Sequence, residues 1–490
     1  MITLKSKDIK IATGGPLVAI LNKEDAKNLD LRALDRIKIK HGKKEIIAVI
    51  DISESEEIKK GQIGLFKELI RGLRIKKQTK LKVSPTPVPI SVEYIKKKLD
   101  NKKLTKKEIY TIVNDLTKNE LTEVELTYFV SACYLNKLNG IETKHLTEAM
   151  IKYGEKIEIN KKIIADKHSI GGIPNNRTTM LLVPIITAAG ITMIKTSSRA
   201  ITSPAGTADT MESIAKVNFP IDKLVNIVKK TNGCITWGGA VDLASSDEKL
   251  IKVRHPLRLD PEGLMLSSIL SKKAAVNSTH LLIDIPLGKT AKIKTKSHAK
   301  DLKKHFQKLG NQLKIKTKVI ITNGSQPIGN GIGPNLEARD ILYILRKNPL
   351  APKDLERKSI YMANLIFKMT KTKASAKNIL DSGQAYHQFM EIIKAQCGNP
   401  KVKPSDLKLG RLKYNVRANK KGKIVEINNK KIAKIARLAG SPDDKEAGIY
   451  LNAKLKNRVK KGQILMTIYS NSKVKLKNAK SFIKDSIIIK

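Results

Sequence analysis

Asp166-Lys167-His168-Ser169-Ile170-Gly171-Gly172 is the first of three polar loops that stand close together in the chain. The second is Lys195-Thr196-Ser197-Ser198-Arg199-Ala200-Ile201-Thr202-Ser203, which runs into the third, Pro204-Ala205-Gly206-Thr207-Ala208-Asp209-Thr210-Met211-Glu212. Apolar runs, Ile163-Ile164 and Ile191-Thr192-Met193-Ile194, stand ahead of them, so they read as loops at strand ends. Small residues let backbone N–H groups approach an anion, hydroxyls add donors, and Lys167, Lys195 and Arg199 supply positive charge. The third loop opens a helix, whose positive end would face the same ligand. This pattern points to an α/β domain with a phosphate site at its strand ends.

Working outward, residues 1–84 alternate short apolar runs (Ile9-Lys10-Ile11, Leu17-Val18-Ala19-Ile20, Ile46-Ile47-Ala48-Val49-Ile50) with turn signals, the mark of a small β-rich module. Ser84-Pro85-Thr86-Pro87-Val88-Pro89 reads as a stiff linker. Residues 90–160 change to helical period: Thr105 with Glu108, and Thr122 with Glu125, are capping-box pairs, and Ile109, Ile112, Val113, Leu126, Phe129 and Val130 fall at helical spacing. The α/β domain then covers 161–405. From 406 to 490 an α+β module is expected, and Val459-x-x-Gly462-x-x-Leu465 resembles a half-barrel of the lipoyl or biotinyl kind. No lysine there sits in a carrier context, and Lys445 reads as a surface residue at a helix end. The expected architecture is therefore α/β and multidomain, with those four parts.

The chain has 490 residues, 41% hydrophobic and only 4% aromatic, so its cores must rest on Ile, Leu, Val and Ala. Cysteines 133, 234 and 397 are isolated, which suits a reducing compartment and argues against a disulfide framework or structural zinc. The N-terminus has no apolar segment of the signal-peptide kind, and the longest apolar stretch, 180–194, is broken by Pro184 and Gly190. A cytoplasmic protein without a membrane partner is expected. Ninety-five Lys and Arg against 45 Asp and Glu give a formal charge of +50. Most of the excess is lysine in short scattered runs without interleaved aromatics, which suits solvated faces better than a nucleic-acid surface.

The string 166–212, continued by Gly233-Cys234-Ile235-Thr236-Trp237-Gly238-Gly239-Ala240, Asp260-Pro261-Glu262-Gly263, Ser268-Ile269-Leu270-Ser271-Lys272-Lys273 and Gly324-Ser325-Gln326-Pro327-Ile328-Gly329, resembles the thymidine/pyrimidine-nucleoside phosphorylase family. The likeness covers roughly the whole chain. It is strongest to the branch with a long N-terminal extension, which also holds AMP phosphorylases. The resemblance implies that Lys167, Ser169, Gly172, Ser197 and Thr207 bind phosphate. It implies that His168, Ser198, Arg199, Ala200, Ile201, Thr202, Ser203, Ser268, Lys272 and Lys292 contact the nucleoside or nucleotide, and that Asp260 is the general acid. Asp260 also precedes Pro261-Glu262, a strong helix start, so a capping role is open beside the catalytic one.

The implied reaction is phosphorolysis of an N-glycosidic bond. Its first reading is thymidine plus phosphate giving thymine and 2-deoxy-α-ribose 1-phosphate. The alternative is AMP or another nucleoside 5′-monophosphate giving base and ribose 1,5-bisphosphate. Two departures weaken the thymidine pattern. Val253 falls where an arginine would grip a pyrimidine, with Arg254 and Arg258 nearby, and Thr202-Ser203-Pro204 replaces a Gly-His-Thr string. Phosphate is a co-substrate, and no cofactor or metal is expected. A homodimer or larger homo-oligomer is, with the helical domain closing over the α/β domain. Gly324-Ser325-Gln326-Pro327-Ile328-Gly329 has P-loop spacing, but Asn330 stands where lysine is required, so 329–334 reads as a turn before a helix over 334–345. The second loop also looks like the phosphate loop of anthranilate phosphoribosyltransferase, which makes a phosphoribosyltransferase a distant alternative. A basic nucleic-acid-binding protein is the non-enzymatic one.

Overall fold

The alternating residues of the first module close on themselves. In the computed structural model, which describes residues 1–490 except Gly15, Lys77, Ile201, Thr202, residues 242–244, His255 and Arg258, this segment is a closed six-stranded barrel. Its strands lie in the order Ile2–Asp8, Gln62–Leu65, Val18–Asn22, Lys44–Ser53, Arg36–His41 and Lys80–Pro85. Side chains point inward at every second position, as the strand period requires: Ala19 and Leu21, Ile37 and Ile39, Ala48 and Ile50, Ile63 and Leu65, Leu81 and Val83 are all buried. Closure removes the unpaired edges that a small sheet would otherwise expose.

Helices Ser91–Leu99, Lys106–Thr117, Glu123–Leu135 and Gly140–Tyr153 follow. Both capping boxes form: the Thr105 N–H donates to Glu108 (2.7 Å) and the Glu108 N–H to the Thr105 hydroxyl (3.3 Å), and the Thr122–Glu125 pair repeats the arrangement. Arg36 of the barrel donates to the Glu120 carbonyl at 2.9 Å and pairs with Glu125. The bundle core joins Ile109, Ile112, Val113, Leu126, Phe129 and Val130 to Leu250 and Leu264, which come from far along the chain.

The chain thus divides into two compact units, one of Met1–Tyr153 and Ser245–Ser267, the other of Gly154–Ala244 and Ser268–Lys490. This differs from the contiguous division expected at 161–405. Residues 245–267 leave the α/β domain because Leu250, Val253, Leu259 and Leu264 complete the apolar bundle.

The second unit is built on a parallel five-stranded sheet, in the order Lys316–Asn323, His280–Leu287, Ile164–Ser169, Thr192–Ser197, Gly233–Trp237. The first strand in sequence is central, with later strands added to either side of it. The order therefore reverses between Ile164–Ser169 and His280–Leu287, and such a reversal leaves a crevice at the strands' carboxyl ends. Helices Thr178–Ala188, Lys353–Thr370 and Gln384–Ala395 supply much of the core around Met180, Leu181, Val183, Ile366 and Phe389.

The C-terminal part holds a four-stranded and a three-stranded sheet around helix Asn429–Ala439. The α+β content is as read, but the boundary is not. Gly331–Ile332 pairs antiparallel with Gly448–Leu451, so the glycine-rich stretch that was expected only to turn also gives this module an edge strand. The helix after it spans Pro334–Leu345.

Candidate active site

Strand Ile164–Ser169 carries the first loop's residues into the crevice at the strand-order reversal. Asp166 is fully buried and faces two lysines, Lys273 at 2.8 Å and Lys195 at 3.8 Å. The Lys195 ammonium also donates to the Lys167 carbonyl at 2.9 Å, fixing the second strand's end against the first. Lys167 is 1% exposed and donates to the Thr178 hydroxyl at 2.8 Å. Burial pushes its pKa down to about 7, with Lys358 and Arg177 adding to the fall and Asp284 and Asp166 opposing it. Lys195 is driven the same way, by burial and then by Lys273. His168 is held far below the usual histidine range, by burial first and then by Lys195, Lys273, Lys167 and Lys272, so its ring is neutral at pH 7.

Across the reversal, Asp284 of the neighbouring strand gathers the other face of the loop. Its carboxylate accepts from the Ser169 hydroxyl (3.2 Å), the Asn176 amide (3.2 Å) and the Thr322 hydroxyl (2.5 Å), and Lys358 lies 2.9 Å away. Burial works against its charge, but Lys358 and Lys167 outweigh that and hold it ionised. Gly172 has φ +87°, and a Cβ there would lie 2.5 Å from the Lys292 backbone nitrogen. The glycine is therefore what lets the first loop pass against Lys292.

Arg177, just before helix Thr178–Ala188, joins the first loop to the third. It donates to Glu337 (2.5 Å), to the Thr207 hydroxyl (3.0 Å) and to the Ala205 carbonyl (2.6 Å). Thr207 opens the short helix Thr207–Met211, as expected, with Gly206 as its cap. Asp209 accepts from the backbone N–H groups of Ala200 and Gly206, both at 2.7 Å, and thereby folds the second loop onto the third. Gly206 is required there, since a Cβ would meet the Ser198 carbonyl oxygen at 2.5 Å.

Three expectations change. Arg199 has partners within the protein: its guanidinium holds Glu212 through two hydrogen bonds (2.7 and 2.8 Å), lies 3.3 Å from Asp209 and sits 5.0 Å from the Trp237 ring centroid. Hydroxyls expected as phosphate donors have protein partners, Ser169 on Asp284, Thr207 on Arg177, Ser197 on the Ser198 carbonyl (3.2 Å), so a ligand must exchange with these. Lys445 lies in the turn after helix Asn429–Ala439, not at a helix end, and reaches back to Glu212. Ser203 bonds the Ala205 carbonyl at 2.8 Å, while Ile201, Thr202 and Arg258 lie outside the described residues.

Ser268 and Lys272 share one face of helix Glu262–Ala275, within the second unit. Asp260 belongs to the first unit, 3.5 Å from Arg254 and one-third exposed. Its side chain thus has a cationic neighbour and access to water.

Lys167, Lys195, Lys273, Lys358 and Arg177 stand in these loops and strand ends with the carboxylates Asp166, Asp209, Asp284 and Glu337, five basic groups against four acidic ones. Basic groups gathered at one crevice suit an anion, whose arrival favours the protonated form of Lys167. Asn176, Arg177, Asp284, Glu337 and Lys358 were not singled out from the sequence. Only Asn176 and Arg177 carried a signal, by standing just past the Gly171-Gly172 turn, after Ile173-Pro174-Asn175.

Residues 92–154 match the family model described as the glycosyl transferase family helical bundle domain. Residues 161–260 match that of the glycosyl transferase family a/b domain, and 423–490 that of the pyrimidine nucleoside phosphorylase C-terminal domain. The chain is 42% identical over 469 residues to AMP phosphorylase 1 of Archaeoglobus fulgidus, across 95% of this chain and 93% of the relative. It is 42% identical over 481 residues to the AMP phosphorylase of Pyrococcus furiosus, across 97% and 95%. Among solved structures, anthranilate phosphoribosyltransferase from Thermus thermophilus superposes with a TM-score of 0.50 at 17% identity, covering 62% of this chain and 99% of that one. At that identity the likeness is one of fold.

Proposed function

The chain belongs to the thymidine/pyrimidine-nucleoside phosphorylase family and is a pentosyltransferase of the nucleoside phosphorylase type, and from that premise we propose that its substrate is a nucleoside 5′-monophosphate, AMP first. The reading that the sequence put first, thymidine, is the less well supported, because the relatives that match over nearly their whole length carry the name AMP phosphorylase. The departures at Val253 and at Thr202-Ser203-Pro204 argue the same way.

The observation that carries the reading is the cluster of basic groups at the strand-order reversal, with Lys167 buried on Thr178 and Lys358 2.9 Å from Asp284. In the proposed reaction inorganic phosphate binds there, with Lys167, Ser169, Ser197, Thr207 and the N–H groups around Gly172 as its donors. A phosphate oxygen attacks the anomeric carbon as the C–N bond breaks, with inversion, and the electron pair leaves with the base. Asp260, once protonated, gives its proton to a ring nitrogen of the departing base. Atoms balance as AMP plus phosphate giving adenine plus α-ribose 1,5-bisphosphate. Lys292, Ser203 and Ser268 are the proposed holders of the 5′-phosphate and ribose, and His168, being neutral, would act as a hydrogen-bonding partner and not as a cation.

Chromatographic base release from AMP, CMP, thymidine and uridine, each with and without inorganic phosphate, tests this. Phosphate-dependent release from AMP is the expected result. Release from thymidine alone would return the protein to nucleosides, and no release from any of the four would sink the reading.

A further inference from the structure

Lys445 is remote in sequence from the loops of the site and lies in the C-terminal part, yet its ammonium donates to the Glu212 main-chain carbonyl at 3.1 Å and sits 3.4 Å from the Glu212 carboxylate. That carboxylate holds Arg199 through two hydrogen bonds, and Arg199 meets both Asp209 and the Trp237 ring. Asp209 in turn holds the Ala200 and Gly206 N–H groups. An unbroken series of contacts therefore runs from the C-terminal module into the second loop, all within one compact unit.

Two features set this apart from an incidental surface pair. The charges balance among themselves, Arg199 and Lys445 against Asp209 and Glu212, so the network holds a shape. The base from which Lys445 reaches is also fixed: its carbonyl accepts from the Asn335 N–H at 3.1 Å, and the Ser441 hydroxyl closes the turn on the Ala447 carbonyl at 2.6 Å. Removing Lys445 would free the Glu212 carbonyl and let the Glu212–Arg199 pair shift away from Trp237.

We propose that Lys445 is a positioning residue, through which the C-terminal module sets the second loop by way of Glu212, Arg199 and Trp237. The kinetic consequence rests on the reading of that loop as a substrate loop; the structural consequence does not. Trp237 is the protein's one tryptophan, so its fluorescence reports Arg199 directly.

The experiment uses full-length Lys445→Met and Lys445→Arg. In Lys445→Met the emission and acrylamide quenching of Trp237 should change, and KM for AMP should rise about fivefold, the scale of a partly exposed ion pair, with kcat within about twofold of wild type. Lys445→Arg should restore both. Unchanged quenching in Lys445→Met would overturn the proposal, as would altered quenching with unchanged KM in an active protein. A change shared equally by both variants, with a lowered thermal midpoint, would reduce Lys445 to a purely structural role. If the wild type releases no base from AMP, the functional reading fails, and the quenching comparison with its Lys445→Arg rescue decides this proposal alone.

Discussion

At the residue scale, Lys167 carries the sharpest expectation. Its ammonium loses its proton near pH 7 because burial opposes the charge. An arriving anion stabilises the protonated form, so anion affinity should be full below about pH 7 and fall as pH rises above it. Sulfate is a useful probe because it stays dianionic throughout. Its inhibition of phosphorolysis should weaken by about tenfold per pH unit above 7, as for one linked proton, and a flat profile would remove Lys167 from the site. Asp166→Asn leaves Lys195 and Lys273 buried against a neutral amide. Urea denaturation should find it less stable by about 3 kcal/mol or more, and a loss under 1 kcal/mol would mean that the two lysines shed their protons instead. Asp260→Asn should remove most turnover while phosphate protects the protein against thermal unfolding as well as it does the wild type. Near-normal rates would return Asp260 to helix capping.

At the element scale, the bundle's helix starts were legible because a capping box is written in four consecutive residues, and its energetics are local. Thr122→Ala should cost about 1 kcal/mol, measurable as a lowered unfolding midpoint, and somewhat more if Glu125 then loses its hold on Arg36. Helix Glu123–Leu135 buries Leu126, Phe129 and Val130 while Val124, Tyr128 and Leu135 are exposed on it.

At the scale of the whole molecule, the organisation turns on two excursions of the chain. Residues 245–267 leave the second unit to finish the helical bundle, and Gly331–Ile332, inside that unit, turns from the parallel-sheet part to edge the C-terminal sheet. Neither has a local signature, because what selects them is the apolar surface offered by partners more than a hundred positions away. Lys358 and Asp284 escaped notice for the same reason: a lysine on an amphipathic helix and an aspartate inside an apolar strand become a site only when sheet order brings them together beneath Ser169.

By itself the sequence determined what depends on neighbours along the chain: the strand ends and helix start that frame 166–172 and 195–212, the capping boxes, the strand alternation of the first module and the helix over 334–345. It also carried the family. Tertiary structure alone decided the barrel's closure, the two-unit division, the pairing of Arg199 with Glu212, and the burial of Lys167, Lys195 and Lys273 beside Asp166 and Asp284. Those depend on which side chains are brought within a few ångströms of one another and out of water, and there the strength of a charge is set by burial and partners, not by its place in the chain.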